Sequence, residues 1–316
     1  MLALGKKKFT GVSQFLARFR GWIQAGAALL TNLHLPNFLK GGLYQGAGKT
    51  VCVPGLNCYS CPAASGACPI GAFQAVVGSS KFSFSYYITG ILILLGVLLG
   101  RFICGFLCPF GWFQELLHKI PSRKLSTRKL KPLRYLKYAI LLVMVFLLPA
   151  FLVNDVGMGD PFFCKYLCPQ GVLEGAIPLS LANSGIRAAL GSLFTWKLAI
   201  LLVVIVLSVL FYRPFCKWIC PLGAFYALLN KVSLVQMKVD QSKCISCGKC
   251  AKACKMDVDV TKSPNHTECI RCGMCVRACP TNAVHFRCGF GTGKQGTVLP
   301  EKTNKQMNDI VKEKKS

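Results

Sequence analysis

Three long apolar runs organise the chain. They cover residues 84–103, uncharged until Arg101, residues 138–153, entered past Lys131, Arg134 and Lys137, and residues 193–212, where Lys197 is the one charge. Each is near the roughly 20 residues that cross a hydrocarbon layer about 30 Å thick, so the pattern predicts three transmembrane helices. The second is short and is expected either to tilt less or to extend at its basic end. A weaker apolar segment, residues 21–33, follows Lys6, Lys7, Lys8, Arg18 and Arg20 and contains Gln24 and Asn32. A basic lead into an apolar core also begins a cleaved signal. Thr31-Asn32-Leu33-His34 lacks the small-residue cleavage site, so the expectation is an uncleaved anchor and four spans in all.

Charge orients these spans. From Arg101 to Lys137 there are nine Lys or Arg residues and one acid, Glu115. The positive-inside rule places this loop in the cytoplasm. Residues 36–83 carry only Lys40, Lys49 and Lys81, and residues 154–194 set Lys165 and Arg187 against Asp155, Asp160 and Glu174. Both segments read as extracytoplasmic, and both termini as cytoplasmic. Composition agrees with a multi-pass protein of the cell membrane in contact with lipid: 53% of the 316 residues are hydrophobic and the mean hydropathy is +0.47. The net charge of +27 lies beside apolar runs, with no basic, aromatic-bearing module, so nucleic acid is excluded as a partner.

Nineteen cysteines supply the chemistry. Cys244, Cys247, Cys250 and Cys254 are spaced C-x2-C-x2-C-x3-C, and Cys269, Cys272, Cys275 and Cys279 repeat the spacing, ending in Pro280. In a two-cluster bacterial ferredoxin the fourth cysteine of each run ligates the other cluster. The predicted sets are therefore Cys244, Cys247, Cys250 and Cys279 for cluster 1, and Cys269, Cys272, Cys275 and Cys254 for cluster 2. Zinc sites need only four ligands and lack the third closely spaced cysteine. Asp257 and Asp259 fall between the runs and read as a solvated acidic turn.

A second motif occurs four times, as Cys68-Pro69-Ile70-Gly71, Cys108-Pro109-Phe110-Gly111, Cys168-Pro169-Gln170-Gly171 and Cys220-Pro221-Leu222-Gly223. Three copies have another cysteine four residues earlier: Cys104, Cys164 and Cys216. Upstream of Cys68 lie Cys52, Cys58 and Cys61. Proline is favoured at the first position of a helix, so each motif cysteine is expected as an N-cap. Its sulfur would lie at the positive end of the helix dipole, a place that favours thiolate. The glycine would permit close backbone approach.

Topology sorts these cysteines. Cys104, Cys108, Cys216 and Cys220 fall at cytoplasmic ends of spans and supply the four thiolates of one [4Fe-4S] cluster. On the opposite side the preferred set is Cys61, Cys68, Cys164 and Cys168, which leaves Cys52 and Cys58 free to form a disulfide. A rival set takes Cys52, Cys58, Cys61 and Cys68. Clusters at opposite surfaces would be too far apart for direct electron exchange, so the C-P-x-G helices are expected to be re-entrant and to bring the two sets towards the midplane as an inverted pair.

With these motifs the chain resembles the polyferredoxin-type membrane proteins related to the quinol-oxidising membrane subunit of periplasmic nitrate reductase. It is also similar to the membrane half of the nitrous-oxide-reductase regulator. The resemblance spans roughly residues 15–285. It departs in having three C-x3-C-P motifs where two are usual, in the extra cysteines Cys52 to Cys68, and in Lys255, which follows Cys254 where proline often stands. The resemblance implies an electron-transfer subunit of an oxidoreductase system rather than a stand-alone enzyme. Electrons would pass through two ferredoxin clusters and one or two membrane clusters. One end would meet a cytoplasmic ferredoxin, a flavoprotein or quinol, the other an extracytoplasmic flavin-binding protein or metalloprotein. The alternative is an assembly or regulatory factor that reduces a metal or thiol during another enzyme's maturation.

The fold expected is an α-helical integral membrane protein with a cytoplasmic α+β two-cluster ferredoxin. Its predicted parts are an N-terminal anchor and cysteine segment (1–83), a membrane domain (84–235), the ferredoxin (236–288) and a mobile basic tail (289–316). Cys288 lies outside every motif and reads as a free thiol. His34 and His118 are candidates to touch quinone, but plain surface histidines are the stronger reading.

Overall fold

A computed structural model describes residues 2–79, 85–155 and 158–289, the side chains of 2–10, 39 and 128–129 excepted. Phe84 and nearly all of the basic tail lie outside those residues. The chain begins with helix α1, Leu2–Thr31, one unbroken helix of 30 residues in place of the short apolar core read from the sequence. Its buried stripe is Ser13, Ala17, Arg20 and Gln24, spaced three or four apart and so on one face. Val12, Phe15, Phe19, Trp22, Leu29 and Leu30 are exposed on the rest of its surface. Its polar side chains thus turn towards the protein and its large apolar ones outward. Near its start, Ser13 Oγ accepts the Phe286 N–H at 3.0 Å. At its end, the Thr31 carbonyl accepts Ser65 N–H at 2.9 Å and Asn57 Nδ2 at 3.1 Å. The helix therefore ties the ferredoxin to the segment around Cys58 and Cys68, about 27 Å away at 1.5 Å per residue.

Helix α2 is Pro69–Gly78 and α3 is Tyr86–Leu98. Gly100 then takes a left-handed φ of 55°, which breaks the expected span before the separate turn Phe102–Phe106. Helix α4 is Pro109–His118. Helix α5 runs from Leu130 to Phe151, extended at its basic end and wound as π-helix over Leu141–Leu147. Helix α6 is Ser192–Leu210 and α7 is Pro221–Leu229. Among the described residues, α5 and α6 are the helices long and apolar enough to cross a membrane. Shorter apolar helices are α2, α3 and Gly171–Ala182.

The C-terminal unit contains β1 (Val235–Val239), α8 (Lys249–Ala253), α9 (Met274–Ala278) and β2 (Val284–Cys288). The strands pair antiparallel, with Val235 opposite Cys288 and Val239 opposite Val284. Its two halves repeat the same backbone device. Ser246, Gly248 and Asp257 have positive φ in the first half, and Arg271, Gly273 and Asn282 match them in the second. Left-handed residues among right-handed ones turn successive N–H groups towards one point, as an anion nest requires. The core of this unit continues into the helices, since Ala17 and Phe106 pack with Met237, Val276, Val284 and Phe286.

Candidate metal centres

The C-P-x-G motifs start helices as their chemistry requires. Cys68, Cys108 and Cys220 each have extended backbone with proline at the first helical turn. The Gly223 N–H donates to Cys220 Sγ at 3.3 Å. Cys168 opens instead onto the π-wound segment Gly171–Ala176. Burial outweighs the dipole at these sulfurs. It pushes the Cys108 and Cys168 thiols up to about 12 and Cys68 up to about 11, against the backbone N–H groups that favour the thiolate. Four thiolates could share such a site only around a compensating positive charge, which a metal core supplies when bound.

Cys104, Cys108, Cys216 and Cys220 line one small cavity. These are the four sulfurs grouped by topology. The rest of the wall is Gly55, Leu56, Ile103, Phe110, Phe215, Leu222, Gly223 and Tyr226. A second small cavity is lined by Cys254, Cys269, Cys272 and Cys275, the residues expected for cluster 2. Among the described residues, no three Cys, His, Asp or Glu side chains close on a single metal position. In each cavity four sulfurs share one lining, and a [4Fe-4S] cluster takes four thiolates. Of the cluster 1 residues, Cys250 is buried in the ferredoxin core, with Cys244 and Cys279 packed against it. Cys247 is half-buried in the same loop.

Around Cys68 and Cys168 the neighbouring sulfurs differ from the sequence preference. Cys68 and Cys168 lie in one core with Cys164 packed on it. The fourth sulfur beside them belongs to Cys58. It lies 3.7 Å from where a Cβ on Gly171 would stand, and burial, then the neighbouring Cys58 and Cys68 thiolates, push up the Cys168 thiol. Cys61 N–H donates to the Cys58 carbonyl at 3.1 Å. Its sulfur lies 3.6 Å from Asn32 Oδ1, packed with Ala63 and Ala64. The tight turn between the two cysteines sends Cys58 inward and Cys61 towards α1. Cys52 is bridged to Ala67 through the backbone and is a free thiol, as is Cys58. The described cysteines form no disulfide.

Two residues that the sequence reading passed over tie the sets together. Gln114 Nε2 donates to Cys216 Sγ at 3.2 Å, while its Oε1 accepts the Phe215 N–H at 3.2 Å. Gln74 repeats this, donating to Cys164 Sγ at 3.2 Å and accepting the Phe163 N–H at 3.0 Å. Both stand six residues after a motif cysteine, in Cys68-Pro-Ile-Gly-Ala-Phe-Gln74 and Cys108-Pro-Phe-Gly-Trp-Phe-Gln114. That shared C-P-x-G-x-F-Q was the available signal. The same position in the other two motifs holds Glu174 and Tyr226. Glu174 Oε2 accepts the Cys58 N–H at 3.1 Å, and burial pushes its carboxyl up to about 7.

The ferredoxin is clamped onto the inner set. Arg101 and Lys137, both fully buried, meet Glu268 at 3.0 and 2.6 Å. Asp257 is not a solvated turn. It meets Lys217 at 3.1 Å and Arg134 at 3.3 Å; against burial, the Thr127 hydroxyl and then these cations hold its carboxyl below the usual range. Asp259 does make a local turn, accepting Thr261 N–H at 3.0 Å. Arg271 donates to the Leu99 carbonyl at 2.9 Å. A Cβ on Gly105, beside Cys104, would stand 2.3 Å from the Ile270 carbonyl, beside Cys269. Part of the basic charge that reads as a positive-inside signal is therefore docking charge. His118 is buried edge-on to Tyr212, and His34 stacks on Tyr44 at 3.7 Å.

Comparison with known proteins follows the same divisions. A 4Fe-4S binding domain family matches four times, at residues 66–87, 83–128, 137–177 and 193–240. A second 4Fe-4S binding domain family matches residues 237–258 and 263–285. The Methanocaldococcus jannaschii protein MJ0750 is 28% identical over 54% of this chain and 66% of its own length. The methylamine utilization ferredoxin-type protein MauN of Methylorubrum extorquens is 26% identical over 60% of this chain and 56% of its length. The ferredoxin-type protein NapH of Haemophilus influenzae is 25% identical over 56% of this chain and 54% of its length. The match spans about half to two thirds of these relatives. No solved structure matches the chain.

Proposed function

The chain is a relative of the polyferredoxin-type electron-transport proteins, and from that premise we propose that it is a membrane electron-transfer subunit with four [4Fe-4S] sites. Two are in the ferredoxin, held by Cys244, Cys247, Cys250 and Cys279 and by Cys269, Cys272, Cys275 and Cys254. The inner membrane site is Cys104, Cys108, Cys216 and Cys220. For the outer site the geometry favours Cys58, Cys68, Cys164 and Cys168 over the set containing Cys61. When bound, such clusters supply one-electron carriers.

The observation that carries this reading is the duplicated arrangement of Gln74 on Cys164 and Gln114 on Cys216, each with the same backbone N–H on its oxygen. Two sites built alike argue for two uses of one chemistry. The protein's side chains hold the sulfurs, exclude water and fix the ferredoxin over the inner set. We further propose that α1, α3, α5 and α6 cross the cell membrane with the N-terminus and ferredoxin inside. The short helices α2 and Gly171–Ala182 would then carry the outer sulfurs inward. The donor would be a cytoplasmic ferredoxin or flavoprotein, or quinol, and the acceptor an extracytoplasmic flavin-binding protein or metalloprotein, or the reverse.

Iron and sulfide analysis of the reconstituted full chain tests the reading. About sixteen irons are expected at four per cluster, and about eight would reduce the protein to an anchored ferredoxin. Cys58→Ser is expected to lose about four of them and Cys61→Ser none. The reverse outcome restores Cys61 to the outer set.

A further inference from the structure

Residues 54–58 run from one membrane sulfur set to the other. At one end the Pro54 carbonyl accepts the Tyr226 hydroxyl at 3.0 Å, and Tyr226 lines the inner cavity. A Cβ on Gly55 would lie 2.8 Å from Cys108 Cα and 3.2 Å from both the Leu107 carbonyl oxygen and Pro109 Cδ. Only glycine lets the segment rest on the backbone of an inner ligand. Leu56 is 1% exposed and forms part of the same wall. At the other end, Asn57 is fully buried and bonded to Thr31 and Asn32 of the outer segment, and Cys58 joins the outer sulfurs. The backbone N–H of Leu56 faces the Cys108 sulfur and that of Asn57 faces the Cys68 sulfur.

We propose that residues 54–58 are a positioning bridge that fixes the separation of the inner and outer clusters and joins them through one stretch of peptide. This rests on the reading that both sets hold clusters. From Leu56 to Cys58 the chain reaches at most about 7 Å, against about 30 Å of hydrocarbon between membrane surfaces. The bridge therefore removes the distance that would otherwise separate two surface sites. The step it serves is the exchange of one electron, which oxidises one site by one and reduces the other by one, with no bond made or broken. Tyr226 and the Leu56 side chain fill the gap beside the peptide and keep water out.

The test uses the full chain in lipid or detergent, loaded to full iron content and reduced, with magnetic coupling between the membrane clusters read by EPR. The unmodified protein is expected to show coupling-broadened membrane signals. Gly55→Ala forces the bridge off Cys108 and is expected to lose that broadening while iron content holds. Tyr226→Phe keeps the ring, frees the Pro54 carbonyl and should narrow the signals less. Val51→Ala, an exposed change on the same segment, should leave them unaltered. Full iron with no coupling in the unmodified protein overturns the bridge, as does unchanged coupling in fully loaded Gly55→Ala. If Gly55→Ala fails to assemble, unchanged coupling in Tyr226→Phe overturns it instead. A total of only about eight irons in the unmodified protein would defeat the four-site reading itself, a result distinct from these.

Discussion

Toward the ferredoxin, the inner sulfur set is held by buried charge: Arg101 and Lys137 on Glu268, Lys217 and Arg134 on Asp257. Toward the outer set it meets peptide backbone, one tyrosine hydroxyl and leucine. The difference follows from the surroundings. The ferredoxin docks from the side where basic loops and carboxylates are both to hand, and opposite charges fix its orientation. The inner–outer joint lies among apolar helices, where an ionised side chain is expensive, so close contact there is made with glycine and neutral hydrogen bonds. Both joints use a glycine where a Cβ would collide with the facing backbone, Gly105 at one and Gly55 at the other.

The charged joint should break hardest. Glu268→Gln leaves two fully buried cations facing a neutral amide, and removing one partner of such a group costs about 3–5 kcal/mol. The expected outcome is early release of the ferredoxin, seen as faster proteolysis between α7 and β1 and a lower denaturation midpoint. If Tyr226→Phe at the neutral joint destabilises more than Glu268→Gln, the contrast between the joints is wrong.

Gly105→Ala tests the same joint without touching charge. The added methyl meets the Ile270 carbonyl, and overpacking of this kind costs about 1–3 kcal/mol. Iron should be retained, while coupling between the inner signal and the ferredoxin signals weakens and coupling to the outer signal does not. Loss of both couplings together would mean that the inner set moves as a whole and the joints are not independent.

Gln114→Leu and Gln74→Leu probe likeness rather than contrast. Each strands a backbone N–H, of Phe215 or Phe163, at about 1–3 kcal/mol and removes a hydrogen bond to a sulfur. Hydrogen bonds to sulfur favour the more negative, reduced cluster. Each variant should therefore lower the reduction potential of its own membrane cluster and leave the other in place, as redox titration followed by EPR would show. Two equal downward shifts would support equivalent sites, and a shift in one alone would show that the repeat is structural in only one place.

What could be read from the sequence was the chemistry that is local in the chain. C-x2-C-x2-C-x3-C and C-x3-C-P place part of each set close together in the chain, and cross-ligation and loop charge joined the parts, so the cavity sets around Cys104 and Cys254 were legible. Cys58 and Cys61 are three residues apart, and the tight turn between them brings Cys58 beside Cys168, a matter of side-chain direction that spacing does not encode. Asp257 read as solvated because its partners, Lys217 and Arg134, lie far away in sequence. Gln74 and Gln114 were visible in a shared motif, but their role depends on sulfurs reached only through the folded helices.

The smallest effect is expected at Cys52, and it sharpens the comparison most economically. Cys52 is 7% exposed, and its backbone pairs with Ala67 on the same segment as Cys58. Its sulfur, like those of Cys104, Cys108 and Cys68, lies within electrostatic reach of Tyr226. It therefore lies near the joint without belonging to either set of four. Cys52→Ser exchanges a buried thiol for a hydroxyl, and a polar group buried without a full partner costs about 1–3 kcal/mol at most. Iron content and inner–outer coupling should match the unmodified protein, while Cys58→Ser loses one cluster. Replacing both cysteines at once would merge these two results. The single changes separate them, and a loss of iron in Cys52→Ser would place a fifth sulfur at the neutral joint.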